Sequence, residues 1–380
     1  MVGMNILTPV LPVYILTLGM SGTMLGIINS SYFLAFSIGS PLAGLLGDRI
    51  GYKILIVIGL GVQAGVSLAY LATREPWALI VLRFLQGLLS SMVVTPSMAW
   101  AGALSKTDSE ASSMGIFNAF CFVGIGIGPA IGGLASKNAD FVMPFMIMSA
   151  ILFVSFLLCL ALPGLEGGRP IEKKKTSTTG AFRLLTSNLI LGLFISSFIL
   201  TLGEGGMASF LPVLTIKNNM TQPQTGLLAS IFALTAGLFL APCGYIANRI
   251  NKTLMIISGL LIVGAGIGVL PFCTTFLSFT LLGIISGIGI AMIMPSSSAL
   301  LIVHTRETGL GLAVGLFTIA NMLGFVVGPV ICGKVMDRYG LNYVFYFTSG
   351  LFILAIFILT LFLIVLPRLS GNSLRQKNTY

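Results

Sequence analysis

The sequence repeats itself at a constant offset of 200 residues. The charged segment GLLGDRIGYK begins at Gly44, between two long apolar runs, and the related segment GYIANRINKT begins at Gly244. Further along, five positions recur at the same offset: Gly115, Gly124, Gly128, Pro129 and Gly133 are matched by Gly315, Gly324, Gly328, Pro329 and Gly333. A long internal period of this kind indicates that the chain consists of two copies of one structural unit.

The composition excludes a water-soluble domain. Hydrophobic residues make up 56% of the chain and charged residues 8%, whereas soluble domains have a charged share of about 25%. The apolar runs are 18 residues long or longer, which is the length that a helix needs to cross a hydrocarbon core of ~30 Å. Barrel strands are shorter and alternate in polarity, so these runs favour membrane-spanning helices.

Twelve apolar runs are predicted to span the membrane, six in each repeat. In the first repeat, spans 1 to 6 cover roughly 1–18, 23–46, 54–72, 77–103, 115–136 and 141–162. In the second repeat, spans 7 to 12 cover roughly 189–214, 224–246, 254–271, 276–303, 312–334 and 343–366. Because each repeat has an even number of spans, we expect two six-helix bundles related by a pseudo-two-fold axis along the membrane normal.

The positive charges predict the orientation of the chain. Apart from Arg83, five Lys and Arg residues lie in the odd-numbered connections or at their edge, whereas fourteen lie in the even-numbered connections and the C-terminal tail. Since cytoplasmic loops are enriched in Lys and Arg, the second set, including the C-terminus, is expected in the cytoplasm of a cell bounded by a plasma or bacterial inner membrane. The predicted organisation is an N-terminal bundle over 1–162, a cytoplasmic linker over 163–188, a C-terminal bundle over 189–366 and a cytoplasmic tail over 367–380.

Charge and cysteine patterns give no sign of nucleic-acid, metal or cofactor binding. The net charge is +10, but Lys and Arg are not clustered on a soluble module with interleaved aromatics. The five cysteines are scattered through apolar spans without paired spacing, so neither a disulfide framework nor a zinc site is expected. No paired-carboxylate, Ser/His/Asp or metal cluster stands out, so we expect no enzyme, no metal and no cofactor.

The segment between spans 2 and 3 resembles motif A of the major facilitator superfamily, through Gly44, Asp48, Arg49, Gly51 and Lys53. The resemblance implies a transporter that works by alternating access, with this motif and Arg249 of its copy at the cytoplasmic gate. Asp48 can face the positive N-terminus of a helix from the other half, and Arg49 can hold a carboxylate such as Asp108 or Glu110. The alternative is that these are solvated turn charges that only obey the positive-inside rule.

Span 4 contains an embedded arginine. Arg83, followed by Gln86 and Gly87, is similar to motif B of the superfamily, and the resemblance implies a part in proton coupling. An arginine within a span costs roughly 2.5–3.5 kcal/mol on insertion scales, so Arg83 should face the interior, a partner or water. It lies about six residues, or ~9 Å, inside the outer end of the span, so snorkelling to the outer headgroups is the alternative.

Span 5 carries a long glycine pattern that is similar to motif C, through Gly115, Gly124, Gly128, Pro129, Gly132 and Gly133. The superfamily associates this motif with antiporters, particularly the drug:proton branch. Gly124, Gly128 and Gly132 recur every four residues and form one ridge, against which a facing helix can pack closely, while Pro129 permits a kink. The alternative is a generic close-packing helix.

Span 7 carries Glu204, which is the one carboxylate well inside any predicted span. An ionisable residue within the membrane indicates a functional site. Desolvation favours the neutral carboxyl and nearby positive charge favours the ionised form, so Glu204 could bind and release a proton. Its neighbours Gly203, Gly205 and Gly206 are expected to loosen the helix, and related drug:proton antiporters keep an acid in this span. The alternative is a structural glutamate with a partner inside the bundle.

A cavity between the two halves is expected to bind a small molecule. Aromatic and amide side chains are predicted to line it, although each could instead face lipid or the core: Tyr32, Gln86, Asn118, Phe232, Phe317 and Asn321.

These features predict an all-α membrane protein of the major facilitator fold that exports small amphipathic or drug-like compounds by proton antiport. Its partners would be a small-molecule substrate, protons and the lipid bilayer, with no nucleic acid, and it would act as a monomer. A metabolite exporter or a proton symporter on the same scaffold is the nearest alternative. A non-transporting membrane receptor is a more distant one.

The first span is predicted to be short. The 200-residue offset aligns Met1 with Thr201, whereas span 7 begins near Leu189. Residues 1–18 make ~27 Å of helix, which is barely enough to cross, and Pro9 and Pro12 lie inside. We therefore expect either a start some ten residues upstream or a first helix that begins inside the membrane.

Overall fold

The computed structural model describes residues 1–104, 110–137, 141–162, 188–247, 249–305 and 310–362. These residues form helices and short connections. In the first repeat, span 1 consists of Val2–Asn5 and Leu11–Thr17, and spans 2 to 6 are Gly22–Ile50, Tyr52–Ala69, Pro76–Leu104, Glu110–Ala135 and Val142–Ala161. In the second repeat, spans 7 to 12 are Asn188–Lys217, Gln222–Ala247, Lys252–Val269, Phe276–Thr305, Leu310–Tyr339 and Leu341–Thr360.

Within the described ranges, eleven helices are long and apolar enough to cross a membrane, and they are spans 2 to 12. Many of their large apolar side chains are exposed, including Trp77, Leu238 and Phe357. A protein in water rarely shows such a surface, whereas lipid tails solvate it well. The predicted class, an all-helical multi-pass membrane protein, is confirmed.

Span 1 differs from the other spans because its helix is interrupted. Turns occupy residues 6–10, between Val2–Asn5 and Leu11–Thr17. Pro9 has no backbone N–H and its ring crowds the preceding turn, which explains a break at this place. The backbone recovers its pairing through turn hydrogen bonds, such as that from Thr8 N to Asn5 O at 3.2 Å.

The observed helices extend beyond some of the predicted ends. Span 2 continues as a helix through Ile50, so the charged segment that begins at Gly44 is mostly helical and the turn is confined to Gly51, whose φ is 95°. Span 11 likewise continues to Tyr339 and ends before Gly340, whose φ is 98°. Glycine adopts this left-handed backbone at low cost, so the chain reverses where glycine occurs and not where hydrophobicity falls.

The chain divides into two compact units: Met1–Lys173 with Ala208–Leu234, and Lys174–Met207 with Thr235–Tyr380. In the first unit, span 3 packs on spans 4 and 6, span 2 on span 4, and span 1 on span 5. In the second unit, span 9 packs on spans 10 and 12, and span 11 on span 12. The units do not follow the repeat boundary, so the boundaries predicted at 162 and 189 stay a prediction.

The first unit includes part of the second repeat because of contacts inside that unit. Asn29 Nδ2 donates to Ser209 Oγ at 3.1 Å between two buried side chains. A β-carbon added at Gly133 would lie only 2.8 Å from Gly226 Cα, so spans 5 and 8 touch backbone to backbone. Small residues allow this close approach of helices.

Candidate functional site

Glu204 lies near the centre of the span 7 helix, Asn188–Lys217, and its side chain is half-buried. Among the described residues it has no hydrogen-bond or ion-pair partner. A structural glutamate inside a membrane protein is held by such a partner, because an unpaired buried charge is costly. The role of Glu204 in proton coupling stays a prediction.

The glycines around Glu204 are packing positions. A β-carbon at Gly205 would lie 3.2 Å from Phe325 Cδ1, and one at Gly206 would collide with Cys332. The absence of side chains at both glycines therefore allows span 11 to pack closely against span 7. Gly203 likewise allows Phe352 of span 12 to pack closely, since a β-carbon at Gly203 would lie 2.7 Å from Phe352 Cε2. The helix is continuous through this region. The expectation that the glycines loosen the helix is wrong, because close neighbours support it on two sides.

Arg83 lies inside the first unit with its guanidinium group in a polar cluster. The side chain is only 7% exposed. Its Nη1 donates to Gln86 Oε1 at 3.1 Å, and Tyr70 Oη donates to the same oxygen at 2.9 Å. The guanidinium carbon also lies 5.6 Å from the centre of the Tyr32 ring, within cation–π range. Since Gln86 is one turn deeper in the span, the head of Arg83 points inward and does not snorkel to the outer headgroups.

Two hydrogen-bond donors of this cluster have no partner among the described residues: Arg83 Nε and Gln86 Nε2. Beside them, Gln63 Nε2 donates to Ser90 Oγ at 3.1 Å, and Gln63 Oε1 has no partner. Buried polar atoms are almost always paired. The cluster therefore retains free hydrogen-bonding capacity where a ligand group or water can bind.

The motif C glycines of span 5 form the predicted ridge, and span 1 packs on it. A β-carbon at Gly124 would lie 2.6 Å from Met1 Cβ, one at Gly128 would lie 2.7 Å from Val2 O, and one at Gly132 would overlap the Ile6 carbonyl group. Gly133 and the carbonyl oxygen of Pro129 instead face Gly226 of span 8. Gly115 lies in the span 5 helix, but its surroundings are outside the description.

The motif A charges make local contacts at the ends of helices. Tyr52 Oη donates to Asp48 Oδ1 at 2.8 Å. Lys53 Nζ donates to Leu160 O at 3.0 Å and also to Leu162 O, at the C-terminal end of the span 6 helix. A cation favours that position, where backbone carbonyls are unpaired and the helix dipole is negative. Arg49 is exposed.

The structure describes only part of the surroundings of Arg49 and of the second copy of motif A. Asp108 and the side chain of Glu110 lie outside the described residues. In the second copy, Arg249 is hydrogen-bonded to Tyr245 Oη and lies 4.4 Å from the centre of its ring. The role of motif A as a gate latch stays a prediction.

The remaining cavity candidates have varied surroundings. Phe317 is half-buried and packs on Phe194, with ring centres 6.2 Å apart. Phe232 and Asn321 are half-buried, and Asn118 is exposed. Their assignment to a substrate cavity stays a prediction.

A family profile described as Major Facilitator Superfamily matches residues 1–216 and again 193–379, and so covers nearly the whole chain. The chain belongs to the major facilitator superfamily. Its similarity to a transporter of this type from Methanocaldococcus jannaschii is 26% identity, covering 92% of this chain and 91% of the relative.

Two relatives place this superfamily member near multidrug efflux proteins. The multidrug resistance protein MdtG of Klebsiella pneumoniae is 27% identical, covering 91% of this chain and 86% of the relative. The quinolone resistance protein NorA of Staphylococcus aureus is also 27% identical, covering 88% and 86%. The predicted resemblance to the drug:proton antiporter branch is confirmed.

The fold is shared with solved transporters of the superfamily. A mutant of the nucleoside transporter NupG superposes with a TM-score of 0.81 at 17% identity, covering 95% of this chain and 96% of that chain. A bacterial homologue of the human lysosomal transporter Spinster, inward-facing and occupied, gives 0.78 at 12% identity, covering 95% and 93%. At these identities the likeness concerns the fold alone.

The polar cluster around Arg83 was only partly found by reading the superfamily motifs. Gln63, Tyr70 and Ser90 belong to no motif. Tyr70 nevertheless donates to Gln86, the acceptor of Arg83, and Gln63 pairs with Ser90, one turn after Gln86 in span 4. Comparison of the two repeats would have found them, because the second copy replaces the cluster with small or apolar residues: Gln63, Tyr70, Arg83, Gln86 and Ser90 are matched by Val263, Leu270, Gly283, Ser286 and Ile290. Glu204 is matched by Met4. Each repeat thus has one embedded charge that the other lacks.

Proposed function

We propose that this member of the major facilitator superfamily exports small amphipathic compounds in exchange for protons. The observation that carries the proposal is Glu204, a half-buried carboxyl at the centre of a span with no partner among the described residues. The names of two relatives, a multidrug resistance protein and a quinolone resistance protein, support export of drug-like compounds. Motif C in span 5 supports antiport through the resemblance stated above.

Glu204 would serve as the proton carrier of the exchange. A carboxyl in a half-buried site changes its proton occupancy readily when its exposure to water changes. It would take up a proton when the transporter is open to the outside and lose that proton to the cytoplasm. Substrate would bind from the cytoplasm and move outward in the return step. The exchange then couples one downhill movement to one uphill movement through a single group.

Transport by the purified full chain in proteoliposomes tests this proposal. A pH gradient that is acidic inside should drive accumulation of an amphipathic dye in vesicles with the wild-type chain. We predict that Glu204→Gln abolishes this accumulation but retains exchange of labelled for unlabelled dye without a gradient, because the variant keeps the shape of the site and loses the proton. Glu75→Gln, at an exposed acid outside the helices, is the matched control and should behave as wild type. Gradient-driven accumulation at the wild-type rate in Glu204→Gln would show that another group carries the proton.

The same assay separates the alternative functions. A proton symporter would accumulate the dye only when the gradient is acidic outside. A metabolite exporter would accept polar metabolites and refuse the dye. A receptor without transport activity would give neither accumulation nor exchange. We further propose a monomeric protein in the cell membrane with a cytoplasmic C-terminus, as the distribution of Lys and Arg predicts.

A further inference from the structure

Arg83 is a buried cation without a carboxylate neighbour in the described part of the first unit. In that unit, the acids with described side chains are Asp48 and Glu75, and both are exposed near the ends of helices. Buried charges in proteins are paired, because desolvation without a counter-charge is costly. An arginine cannot relieve this cost by losing its proton, since its guanidinium group stays protonated. A ligand can supply the missing negative charge.

The unpaired atoms of Arg83 and Gln86 are both donors, which favours a ligand group with acceptor atoms at this place. Nε of Arg83 and Nε2 of Gln86 have no partner, while Gln86 Oε1 is already shared by Arg83 and Tyr70. Two unpaired N–H donors beside a positive charge suit a carboxylate, whose two oxygens can each accept a hydrogen bond. A cationic or purely donating group would find no acceptor at these two atoms.

Aromatic rings border the cluster on one side. Spans 2 and 4 meet at Gly87, where a β-carbon would overlap the Tyr32 carbonyl oxygen, and this close approach brings the Tyr32 ring to the guanidinium group. Tyr32 is half-buried, and its ring stacks with Phe36 at 6.3 Å and meets Phe33 edge-on at 5.3 Å. A ligand that carries its carboxylate on an aromatic or apolar body therefore has a surface for each part.

We propose that Arg83 and Gln86, with Tyr32 beside them, bind the carboxylate of an anionic or zwitterionic aromatic substrate. The inference deepens the proposed export function by naming a substrate class, and it replaces the expectation that Arg83 takes part in proton transfer. The divergence of the repeats supports it, because the second copy has Gly283 and Ser286 at these two positions and offers no cation there.

Binding measured on the purified full chain in detergent, without any gradient, tests the inference separately from proton coupling. The probes are 2-naphthoate and its uncharged counterpart 2-naphthamide, titrated by calorimetry. We expect wild type to bind the acid more tightly than the amide. Arg83→Ala should weaken naphthoate binding at least about tenfold, since a hydrogen bond to a charged group contributes roughly 1.5–3 kcal/mol. The same variant should change naphthamide binding little.

Three further variants keep the test decisive. Gln86→Glu places a carboxylate next to Arg83 in a side chain of the same size, so it should abolish naphthoate binding in a folded protein even if Arg83→Ala does not fold. Arg338→Ala is the matched control, since Arg338 also lies over a tyrosine ring, at 5.4 Å, but in span 11. Glu75→Gln, at an exposed acid outside the helices, should bind naphthoate as wild type does. Because binding is measured without a gradient, the result does not depend on proton transport.

Several outcomes would overturn the inference. These are absence of naphthoate binding to wild type, equal loss of acid and amide in Arg83→Ala, or wild-type binding of naphthoate by Gln86→Glu. Competition by chloride as effective as that by naphthoate would identify an inorganic anion as the occupant and would also contradict the proposed substrate class.

Discussion

At the scale of single residues, the two copies of the repeat have diverged at positions that carry charge. Arg83 occurs only in the first copy and Glu204 only in the second, and each is embedded in a span where its counterpart is Gly283 or Met4. Embedded charges are costly, so a protein that keeps one in each half gains something specific from it. Glu204 has the chemistry to exchange a proton, whereas Arg83 has the chemistry to hold an anion. The two charges therefore suit different tasks.

Lys53 is a second single residue with a clear structural role, which is to connect span 3 to the end of span 6. It is the second residue of the span 3 helix, where the dipole of its own helix opposes a cation, yet it donates to the terminal carbonyls of span 6. We predict that Lys53→Met lowers the stability of the purified protein by about 1–2 kcal/mol, because the carbonyls lose a charged donor. The melting temperature measures this effect.

Lys252→Met provides the control for this prediction. Lys252 is the first residue of the span 9 helix and has no hydrogen-bond partner among the described residues. Its replacement removes a cation from a helix N-terminus and should not destabilise the protein. Equal melting temperatures for Lys53→Met and Lys252→Met would contradict a stabilising role for the contact with span 6.

At the scale of elements, the glycine pattern of span 5 fixes how helices approach one another. The four-residue spacing of Gly124, Gly128 and Gly132 predicts a smooth ridge, and span 1 packs on that ridge with its backbone. The second copy behaves alike, since β-carbons at Gly324 and Gly328 would overlap span 7 near Thr201 and Leu202. The pattern in the sequence was therefore sufficient to predict a close contact in each repeat.

We predict that Gly132→Ala destabilises the protein by about 1–3 kcal/mol, because a β-carbon would overlap the Ile6 carbonyl group and spans 1 and 5 would have to separate. Gly65→Ala is the control. Gly65 lies in the span 3 helix and has nothing within 4 Å of a β-carbon, so its replacement should leave the melting temperature unchanged or raise it. A Gly132→Ala protein as stable as Gly65→Ala would show that the contact with span 1 is loose.

The positions of most helices could be predicted from the sequence, whereas some helix ends and breaks depended on contacts that have no local signal. Spans 2 to 12 are found near their predicted places, because long apolar runs have no other stable form in lipid. The break of span 1 near Pro9 follows from a residue that was visible, although its effect depended on packing. The helical nature of the segment that begins at Gly44 was missed, since hydrophobicity falls before the helix ends. Arg83 and Tyr70 both donate to Gln86, and this contact between distant parts of the chain has no local signal in the sequence.

At the scale of the whole molecule, the chain is a multi-pass transporter of the major facilitator superfamily with two related halves. The orientation is a prediction from charge, in which fourteen Lys and Arg residues lie on the side of the C-terminus and five on the other. We predict that an impermeant maleimide added to intact cells labels Arg74→Cys, between spans 3 and 4, but not Asn378→Cys, in a background whose native cysteines are replaced by serine. Labelling of Asn378→Cys in intact cells would reverse the orientation.

The central claim is that substrate and protons move in opposite directions through one protein. The most direct test is the pH inside proteoliposomes, followed with a trapped pH-sensitive dye after a permanently charged amphipathic substrate is added outside at equal starting pH. The account predicts that substrate entry makes the interior alkaline with the wild-type chain and leaves it unchanged with Glu204→Gln. Acidification of the interior would indicate symport, and substrate entry without any change in pH would contradict proton coupling altogether.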